Sequence, residues 1–441
     1  MSAFSRRGAC PALSAPMQTG DGLLVRVNPL AGGSTAGGPI SGGLPPKSLI
    51  GLCESALRHG NGIMEVTARG SLQIRGLTAD SARLLAAEVD ALGITVRTGL
   101  PVETGPLAGL DPQEIADPRP LTEQIRNAVE EAGLTQRLGP KVSVVVDGGG
   151  RLGVDAVTAD VRLAAVRSGA GTRWRIAIAG DARSAAPLAV VAEDAACDIT
   201  IGILQAIAEL GIEARARDLV AERFEISPHP VPSPIGLLPL AEDRYALGIG
   251  LPFGSMPAEK LIALTRHALA LDATEIRLAP GRALLCLGLS PSACASLRDT
   301  AASVGFVTDA TDPRLRIAVC PGAPACASGR IATRDIAETI AAESGDLLDA
   351  SLALHISGCA KGCAHPGPAA LTLVGGDNGA GLVVNGTAKA LPAGYRPGYD
   401  AARGIGRVAA AIRNARHPGE TAVARLARLG TAGVTEAYQQ E

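Results

Sequence analysis

The chain repeats itself, and this duplication constrains its fold more than any other feature. Residues 44–93 align with residues 256–305 without a gap, at a constant offset of 212. In both copies the spacing of apolar residues changes from helical to alternating and back to helical. A further apolar run precedes each copy, at 23–27 and at 245–251. The pattern predicts two copies of one unit, in the order strand, helix, strand, glycine turn, strand and helix.

A second repeat follows each copy of the first. Residues 141–166 align with residues 351–376 at an offset of 210, and both copies have the pattern of a strand, a glycine-rich loop and a strand. The element order of the first repeat resembles a ferredoxin-like half domain. The sequence therefore predicts an internally duplicated α+β fold, in which ferredoxin-like half domains and two αβ modules are related by a pseudo-twofold.

Four of the nine cysteines lie in two glycine-rich segments of the second half, with the spacing C-x5-C, 32 intervening residues and C-x3-C: Cys320, Cys326, Cys359 and Cys363. Four thiolates in this arrangement fit a [4Fe–4S] cluster. Glycines 322, 358 and 362 would let the backbone approach a bulky inorganic core. We expect a helix from about Ser328, whose N-terminal end would stabilise an anionic cluster. A zinc site fits less well because its paired ligands are usually two to four residues apart, and unrelated buried cysteines are the third alternative.

The other cysteines occur singly. Four of them are expected to be buried small hydrophobic residues: Cys53, Cys197, Cys286 and Cys294. Cys10 stays unassigned. The second repeat places Gly149 and Gly153 where the other copy has Cys359 and Cys363. One copy is therefore expected to keep the loop geometry without the cluster ligands.

These observations predict four segments. Residues 1–100 form an N-terminal ferredoxin-like half domain, and residues 101–226 form an αβ module without cluster ligands, which begins with an extended strap at about 101–120. Residues 227–310 contain a proline-rich linker (227–236) and the second half domain. Residues 311–441 form the cluster-binding module, with a helical tail after Gly404.

Composition excludes several functional classes. The net charge of -2 and the 2% aromatic content argue against nucleic-acid binding. No apolar run is long enough for a membrane span, and the N-terminus is not a convincing signal peptide, so we expect a cytoplasmic protein. The pattern Gly148-x-Gly150-x-x-Gly153 matches a dinucleotide fingerprint, but a strand rather than a helix is expected after it. Electrons are therefore expected from an external donor, either NADH through a reductase or a ferredoxin.

The cysteine spacing on a duplicated chain, the strap at 105–121 and the strand at 66–76 resemble the sulfite and nitrite reductase haemoproteins. In that family the last cysteine, here Cys363, bridges the cluster to sirohaem iron. The wording AVCPGAPACASGR and HISGCAKGCAHP is similar to the branch that acts in aerobic cobalamin biosynthesis. That resemblance implies a monooxygenase that hydroxylates precorrin-3A with O2 and closes a lactone, with the substrate in the position of sirohaem.

A precorrin carries several carboxylates, which require matched cations when they are buried. On the strand at 66–76 we expect Arg69, Gln73 and Arg75 to share one face. The resemblance assigns Arg69 to anion binding and Lys141 to the first lysine of a Lys-x-Lys pair, whose second position here is Ser143. Arg69 and Lys141 are therefore the catalytic candidates. Substrate binding is predicted for both of these residues and for Gln73, Arg75 and Lys361; Arg151, the repeat partner of Lys361, is a further candidate.

The resemblance also implies a possible mononuclear non-haem iron, to which imidazole is suited. His355 and His365 flank the cluster loop, but the sequence shows no set of two histidines and one carboxylate. The alternative function is a sirohaem-dependent sulfite or nitrite reductase, against which Ser143 counts. An iron–sulfur electron carrier without catalytic activity is the third hypothesis.

Overall fold

A computed structural model describes residues 11–31, 40–41, 43–169, 171–220, 232–241, 243–349, 351–414 and 416–440. Cys10 and the first part of the predicted linker, 227–231, lie outside these residues. The chain divides into two compact units, each described here by itself. Unit one takes most of the chain up to Thr308, and unit two takes residues from Asp309 onward together with the short segments Gln18–Gly22 and Leu251–Ser255.

The elements of the first part of the chain alternate between short strands and helices. Their bounds are β1 (Met17–Thr19), β2 (Gly22–Val27), β3 (Leu30–Ala31), β4 (Ile40–Ser41), β5 (Gly43–Leu44), α1 (Pro46–His59), β6 (Ile63–Val66), β7 (Leu72–Leu77), α2 (Ala79–Ala91), β8 (Val102–Thr104), α3 (Arg119–Glu131), β9 (Val144–Asp147), β10 (Ala159–Ser168), β11 (Gly171–Gly180), β12 (Ala186–Val191) and α4 (Glu193–Leu210).

The same kinds of element recur in the second part. Their bounds are β13 (Gly236–Pro239), β14 (Tyr245–Gly250), β15 (Ser255–Pro257), α5 (Ala258–Ala270), β16 (Glu275–Ala279), β17 (Ala283–Leu289), α6 (Pro291–Ser303), β18 (Ile317–Val319), α7 (Thr333–Glu343), β19 (Leu354–Ser357), β20 (Ala369–Gly376), β21 (Gly379–Gly386), β22 (Gly394–Arg396), α8 (Ala401–Asn414) and α9 (Ala422–Gln439). No helix in the described ranges is both long and apolar enough to cross a membrane.

Both predicted repeats are confirmed. In the first, α1, β6, β7 and α2 correspond to α5, β16, β17 and α6, and β2 and β14 are the strands ahead of each copy. Even the helix caps repeat: Thr78 and Ser290 occupy equivalent positions, and each side-chain oxygen accepts a hydrogen bond from a backbone N–H in the first turn of its helix. The predicted tail helices after Gly404 are also present, as α8 and α9.

The two ferredoxin-like copies exchange strands within unit one. β5 precedes the first copy's helix α1 but pairs with β16 of the second copy, through Leu44 opposite Ile276. In return, the chain at the start of α5 is tied to the first copy, because Ala258 N donates to Gly62 O at 2.8 Å. The second sheet therefore has the order β13–β14–β17–β16–β5. Each copy completes the sheet of the other.

The two αβ modules have the same topology. In unit one, β8, β9 and β10 are parallel, and β11 and β12 add antiparallel to them. In unit two, β18, β19 and β20 are parallel, followed by antiparallel β21 and β22. The residues between β8 and α3 therefore occupy the same topological position as those between β18 and α7. The predicted strap is the counterpart of the loop that carries Cys320 and Cys326.

Each module has its own core. The single tryptophan, Trp174 on β11, is 1% exposed and lies among the valines and leucines of the first module. In the second module Tyr438 of α9 is fully buried, and its hydroxyl donates to Ala380 O at 3.1 Å. Burial of such aromatic side chains contributes about 1.5–3 kcal/mol each. The C-terminal helix is therefore part of this module's core.

Three local predictions were wrong. The helix after the first cysteine pair begins at Thr333, because residues 327–331 form turns and bends that pack on the other cysteine loop rather than a helical turn. The strand predicted to include Arg69 begins at Leu72, because residues 68–70 form a turn in which Gly70 has φ 79°. Lys141 likewise precedes its strand, which begins at Val144.

Candidate functional site

The cysteine loops lie at one edge of the sheet in unit two. Cys320 directly follows β18, and Cys359 comes two residues after β19. These neighbouring strands are parallel, with Val319 opposite Ile356, so both loops emerge at the same sheet edge. The backbone N–H of Gly358 donates to the Cys320 Sγ at 3.1 Å. This contact joins the two cysteine pairs directly.

Glycines allow the two loops to approach each other closely. A Cβ on Gly358 would lie 3.0 Å from the Gly322 Cα and 3.2 Å from the Gly329 Cα. Gly322 and Gly362 also have positive φ, at 63° and 64°. In this structure the glycines bring backbone against backbone, which fixes the distance between the two loops.

Cys326 is held by a tight turn and by a segment that the sequence did not indicate. Its N–H donates to Gly322 O at 2.7 Å, and its carbonyl accepts from Gly329 N at 2.8 Å. Gly20, in the short N-terminal segment of unit two, lies against Cys326: a Cβ there would collide with the Cys326 Sγ, and Gly20 O accepts from Ala327 N at 2.9 Å. Only long-range pairing brings Gly20 here, so no local signal reveals it.

The cysteines fall into two classes of exposure. Cys320, Cys326 and Cys359 are partly exposed and Cys363 is exposed. The four single cysteines are at most 3% exposed, which confirms the prediction for them. Burial raises the pKa of the thiols of Cys53 and Cys286 to about 12. A thiol with so high a pKa is a poor metal ligand, since metals bind the thiolate.

The four cysteines lie on two loops at one edge of the sheet. Among the described residues, no three His, Cys, Asp or Glu side chains are placed to hold one metal ion. A [4Fe–4S] cluster is held by four cysteine thiolates, each on a different iron. The four cysteines remain the predicted ligands of such a cluster, on loops that are joined by the hydrogen bond from Gly358 N–H to Cys320 Sγ.

Lys361 and the two histidines surround the second cysteine loop. Lys361 is exposed, and its Nζ donates to Ser328 Oγ at 2.9 Å, which ties the loop to the other cysteine segment. His355 is fully buried on β19, with its ring centroid 5.7 Å from that of His365 in an edge-to-face arrangement. The His365 Nε2 lies 3.2 Å from Pro368 O. The mononuclear iron implied by the resemblance stays a prediction, and neither histidine is assigned to it.

Arg69 projects from its turn toward the first αβ module in unit one. Its Nη2 donates to Thr158 O at 3.1 Å, to Glu103 Oε2 at 3.3 Å and to Ser143 Oγ at 3.5 Å. Its side chain is 41% exposed. The structure thus places the predicted anion-binding arginine beside Ser143, the residue that departs from the Lys-x-Lys pattern.

Gln73 and Arg75 lie on one face of β7, as predicted. An acidic and a basic side chain from the neighbouring strands lie on the same face. Gln73 Nε2 donates to Glu65 Oε2 at 2.8 Å, and Arg75 Nη1 lies 3.4 Å from the same oxygen. Arg26 Nε donates to Gln73 Oε1 at 2.8 Å. Neither Glu65 nor Arg26 was predicted as a site residue, although both occupy alternating positions on neighbouring strands. Their side chains form a polar row across β2, β7 and β6.

Lys141 and Arg151 have different surroundings. Lys141 is exposed, two residues from the buried Ser143, whose N–H donates to Asp160 Oδ2 at 3.0 Å. Arg151 lies in the glycine-rich loop, and its backbone N–H donates to Asp111. The side chain of Lys141 is thus available to solvent, whereas the backbone of Arg151 is held by the strap.

Carboxylates of the strap replace cysteines in the first module. Asp111 accepts from Arg151 N and from Gln113 N, and Glu114 accepts from Gly109 N at 2.8 Å. Burial, reinforced by Asp117 and Asp111, raises the pKa of Glu114 to about 7, although the Gly109 hydrogen bond and Arg119 oppose the shift. These carboxylates were not predicted as site residues because their loop partners are distant in sequence.

Comparisons with known proteins agree with this architecture. A model described as the nitrite/sulfite reductase ferredoxin-like half domain matches residues 15–92. A curated precorrin-3B synthase from Sinorhizobium sp is 43% identical over 449 residues, which cover 99% of this chain and 96% of that protein. The solved structure of the Mycobacterium tuberculosis NirA protein aligns with a TM-score of 0.70 and 18% identity, covering 93% of this chain and 84% of that one. The predicted nitrite/sulfite reductase-like α+β fold is thereby confirmed.

Proposed function

This chain belongs to the precorrin-3B synthase family, and we propose that it hydroxylates precorrin-3A with O2 and closes a lactone on the product. Family membership confirms the predicted enzyme class, an oxidoreductase of cobalamin biosynthesis. The reaction balances as a monooxygenation: one oxygen atom enters the tetrapyrrole and the other leaves as water. An external donor, NADH through a reductase or a ferredoxin, supplies the two electrons.

The observation that carries this proposal is the pair of cysteine loops in a chain that matches its relative over 99% of its length. Cys320, Cys326, Cys359 and Cys363 would hold a [4Fe–4S] cluster, which supplies single electrons when bound. The Gly358 N–H that donates to Cys320 would favour the thiolate of that ligand. The hydrogen bond from Lys361 to Ser328 holds the positive charge of the second cysteine loop against the first cysteine segment.

The other residues proposed for the site bind the carboxylates of the substrate. The side chain of Arg69 is 41% exposed, and Lys141 is exposed in the same unit. Arg pairs with carboxylates through two parallel hydrogen bonds, whereas Lys acts as a point charge. Gln73 and Arg75 offer further donors, but part of their capacity is taken by Glu65. We therefore place Arg69 first among the substrate-binding residues.

A sirohaem-dependent sulfite or nitrite reductase is the alternative that shares the cysteine set. Ser143 argues against it because this buried hydroxyl lies where a second cationic proton donor would be needed. Anaerobic purification, an absorption spectrum, and iron, sulfide and sirohaem analysis separate the two functions. We expect iron and sulfide without sirohaem, followed by O2-dependent conversion of precorrin-3A. Extractable sirohaem with reduction of sulfite would contradict the proposal.

Arg69→Ala tests the substrate-binding assignment. Loss of a charged hydrogen-bond donor to a substrate carboxylate is expected to weaken turnover by roughly 10-fold or more, since charged hydrogen bonds contribute about 1.5–3 kcal/mol. Iron and sulfide content should remain at the wild-type value. Arg83→Ala is the matched control, because it removes a largely exposed arginine whose ion pair is with Asp80, three residues earlier on the same helix. Loss of the cluster in the Arg69 variant would instead mean that the arginine has a structural role.

A further inference from the structure

Arg69 is the outer member of a chain of three charged side chains in unit one. The Glu103 carboxylate binds two arginines, one through each oxygen: Oε2 accepts from Arg69 Nη2 at 3.3 Å and Oε1 accepts from Arg97 Nη1 at 3.2 Å. The side chains of Glu103 and Arg97 are only 15% and 13% exposed, against 41% for Arg69. The carboxylate therefore lies behind Arg69, and Arg97 lies behind the carboxylate.

The contacts of Arg69 are all made by one end of its guanidinium. The three acceptors Glu103 Oε2, Thr158 O and Ser143 Oγ all lie at Nη2. Over the part of the chain that the structure describes, Nε and Nη1 of Arg69 make no hydrogen bond. A guanidinium presents five donors in a rigid plane. Fixing Nη2 thus orients the Nε–H and Nη1 donors, each of which can give a single hydrogen bond to a carboxylate.

The cavity beside this chain of charges is small. It measures about 30 Å³ and is lined by Arg69, Arg97 and Glu103 together with Asn28 and Thr104. A volume of this size accommodates one or two waters. Arg69 has the most exposed side chain of the three charged residues, so it is the one most accessible to a substrate carboxylate.

We infer that Glu103, held by Arg97, is a positioning residue that fixes Arg69 for a carboxylate of the tetrapyrrole. This inference rests on the proposed function. The three side chains carry a net charge of one positive unit, from two arginines and one glutamate. Glu103 lowers the local positive charge, yet it restricts the rotation of Arg69. The two effects oppose each other, so the sign of a substitution distinguishes them.

Glu103→Gln removes the charge while keeping the size. If positioning dominates, the variant binds a polycarboxylate more weakly, because the freed arginine must be ordered on binding; the cost of immobilising one side chain predicts a loss of about 2- to 10-fold. If the charge of Glu103 matters only through the local electrostatic potential, the variant binds more tightly, since the site has become more positive. Glu103→Asp keeps the charge, but its shorter carboxylate cannot reach both arginines. It is expected to give a smaller loss.

The experiment measures binding of uroporphyrin III, a stable tetrapyrrole with acetate and propionate side chains, to the holoenzyme by fluorescence quenching. Variants are Glu103→Gln, Glu103→Asp, Arg69→Ala and the double variant Arg69→Ala/Glu103→Gln. Glu54→Gln is the matched control, because it removes the same charge from a more exposed ion pair with Arg266. Circular dichroism and the melting temperature establish that each variant is folded.

The inference predicts weaker binding by Glu103→Gln, unchanged binding by Glu54→Gln, and no further loss when Glu103→Gln is added to Arg69→Ala. Wild-type or tighter binding by Glu103→Gln, with a clear loss in Arg69→Ala, would overturn the inference and leave the proposed function standing. An equal loss from Glu103→Gln in both backgrounds would show that Glu103 does not act through Arg69 and would also overturn it. A wild-type enzyme that binds no uroporphyrin would overturn the proposed function and the inference with it.

Discussion

The two αβ modules share one backbone plan and differ in what fills their loops. In the first module Ile115 N donates to Gly148 O at 2.8 Å, and in the second Arg330 N donates to Gly358 O at the same distance. Gly148 and Gly358 are equivalent positions of the repeat. The contact between the two loops is therefore common to both modules. Cysteine thiols line the second module's loops, whereas carboxylates and an isoleucine line those of the first.

In the first module, side chains lie against the positions that carry cysteines in the second. A Cβ on Gly149, the counterpart of Cys359, would lie 2.8 Å from Ile115 Cδ1. A Cβ on Gly153, the counterpart of Cys363, would lie 2.5 Å from Asp147 Oδ2. One loop geometry thus holds cysteines in the second module and is packed by side chains of the strap and of β9 in the first.

The largest effect is expected from removal of a cysteine in the second module. Cys359→Ser should eliminate the cluster and reduce turnover by more than the roughly 10–100-fold that changes in outer-shell partners cost at metal sites. Iron, sulfide and activity are the measurements. Cys294→Ala, at a buried single cysteine, is the control and should keep all three. Retention of iron and sulfide by Cys359→Ser would contradict the assignment of this ligand.

Alanine at the equivalent loop glycines should destabilise both modules, but only one change should affect the cluster. In Gly358→Ala the new methyl group meets the Gly322 Cα at 3.0 Å, and in Gly148→Ala it collides with the backbone oxygen of Ala116 and meets Pro118 Cδ at 2.9 Å. Overpacking of this kind costs about 1–3 kcal/mol in the free energy of unfolding. Denaturation and iron analysis should show lost cluster in Gly358→Ala alone.

Gly202→Ala on α4 is the control for these substitutions, since nothing outside its own helix lies near the added methyl group. It is expected to stabilise the protein by about 0.5–1 kcal/mol through helix propensity. Equal loss of cluster in Gly148→Ala and Gly358→Ala would contradict the prediction, because it would show that the loop of the first module also affects cluster binding.

The strap of the first module should respond to pH through Glu114. Its pKa in the folded protein is about 7, raised from 4.5, so the native state binds more protons than the unfolded state between these values. The contribution of Glu114 to stability is therefore complete below about pH 4.5 and is lost as the pH rises through about 7. Glu114→Gln should flatten the melting temperature between pH 5 and pH 8. An unchanged pH profile would contradict the raised pKa.

The smallest effects are expected at a matched pair of loop cations. Lys361→Ala removes one exposed hydrogen bond to Ser328, with a cost of about 0.5–1.5 kcal/mol at most. Arg151→Ala leaves the backbone contact with Asp111 in place and should change the free energy of unfolding by less than about 0.5 kcal/mol. Chemical denaturation measures the free energy of unfolding of both variants. A larger loss for Arg151→Ala than for Lys361→Ala would contradict this prediction.

Local patterns predicted much of the fold because they repeat. The strands at 144–147 and 354–357 have buried side chains on both faces and fall at equivalent positions of the second repeat, so periodicity and alignment agree on them. The correspondence between the strap and the Cys320 loop was not predictable. These segments share no aligned residues, and only the identical order of parallel strands relates them.

Candidate site residues could be predicted from sequence when their own side-chain chemistry is distinctive. Residues that act through a partner were missed. The four cysteines are recognisable from spacing alone. Glu103 and Glu65 become significant only when strands far apart in sequence place them against Arg69 and Arg75. Arg69 itself was assigned to the strand because alternation continued through it, whereas Gly70 forms a turn there. Polar pairs across a sheet require the register, which one sequence does not specify.

The exchange of β5 makes the two ferredoxin-like copies the covalent equivalent of a domain-swapped dimer. A fragment ending after α2 would keep β5 but lack the β16 edge that β5 covers, and the isolated second copy would expose that edge. Unpaired edges invite pairing with another chain. Separately expressed halves are therefore expected to associate with each other. In the intact chain, the pairing of Leu44 with Ile276 closes a loop that contains most of the first half. Such long-range closure slows folding relative to local hairpins.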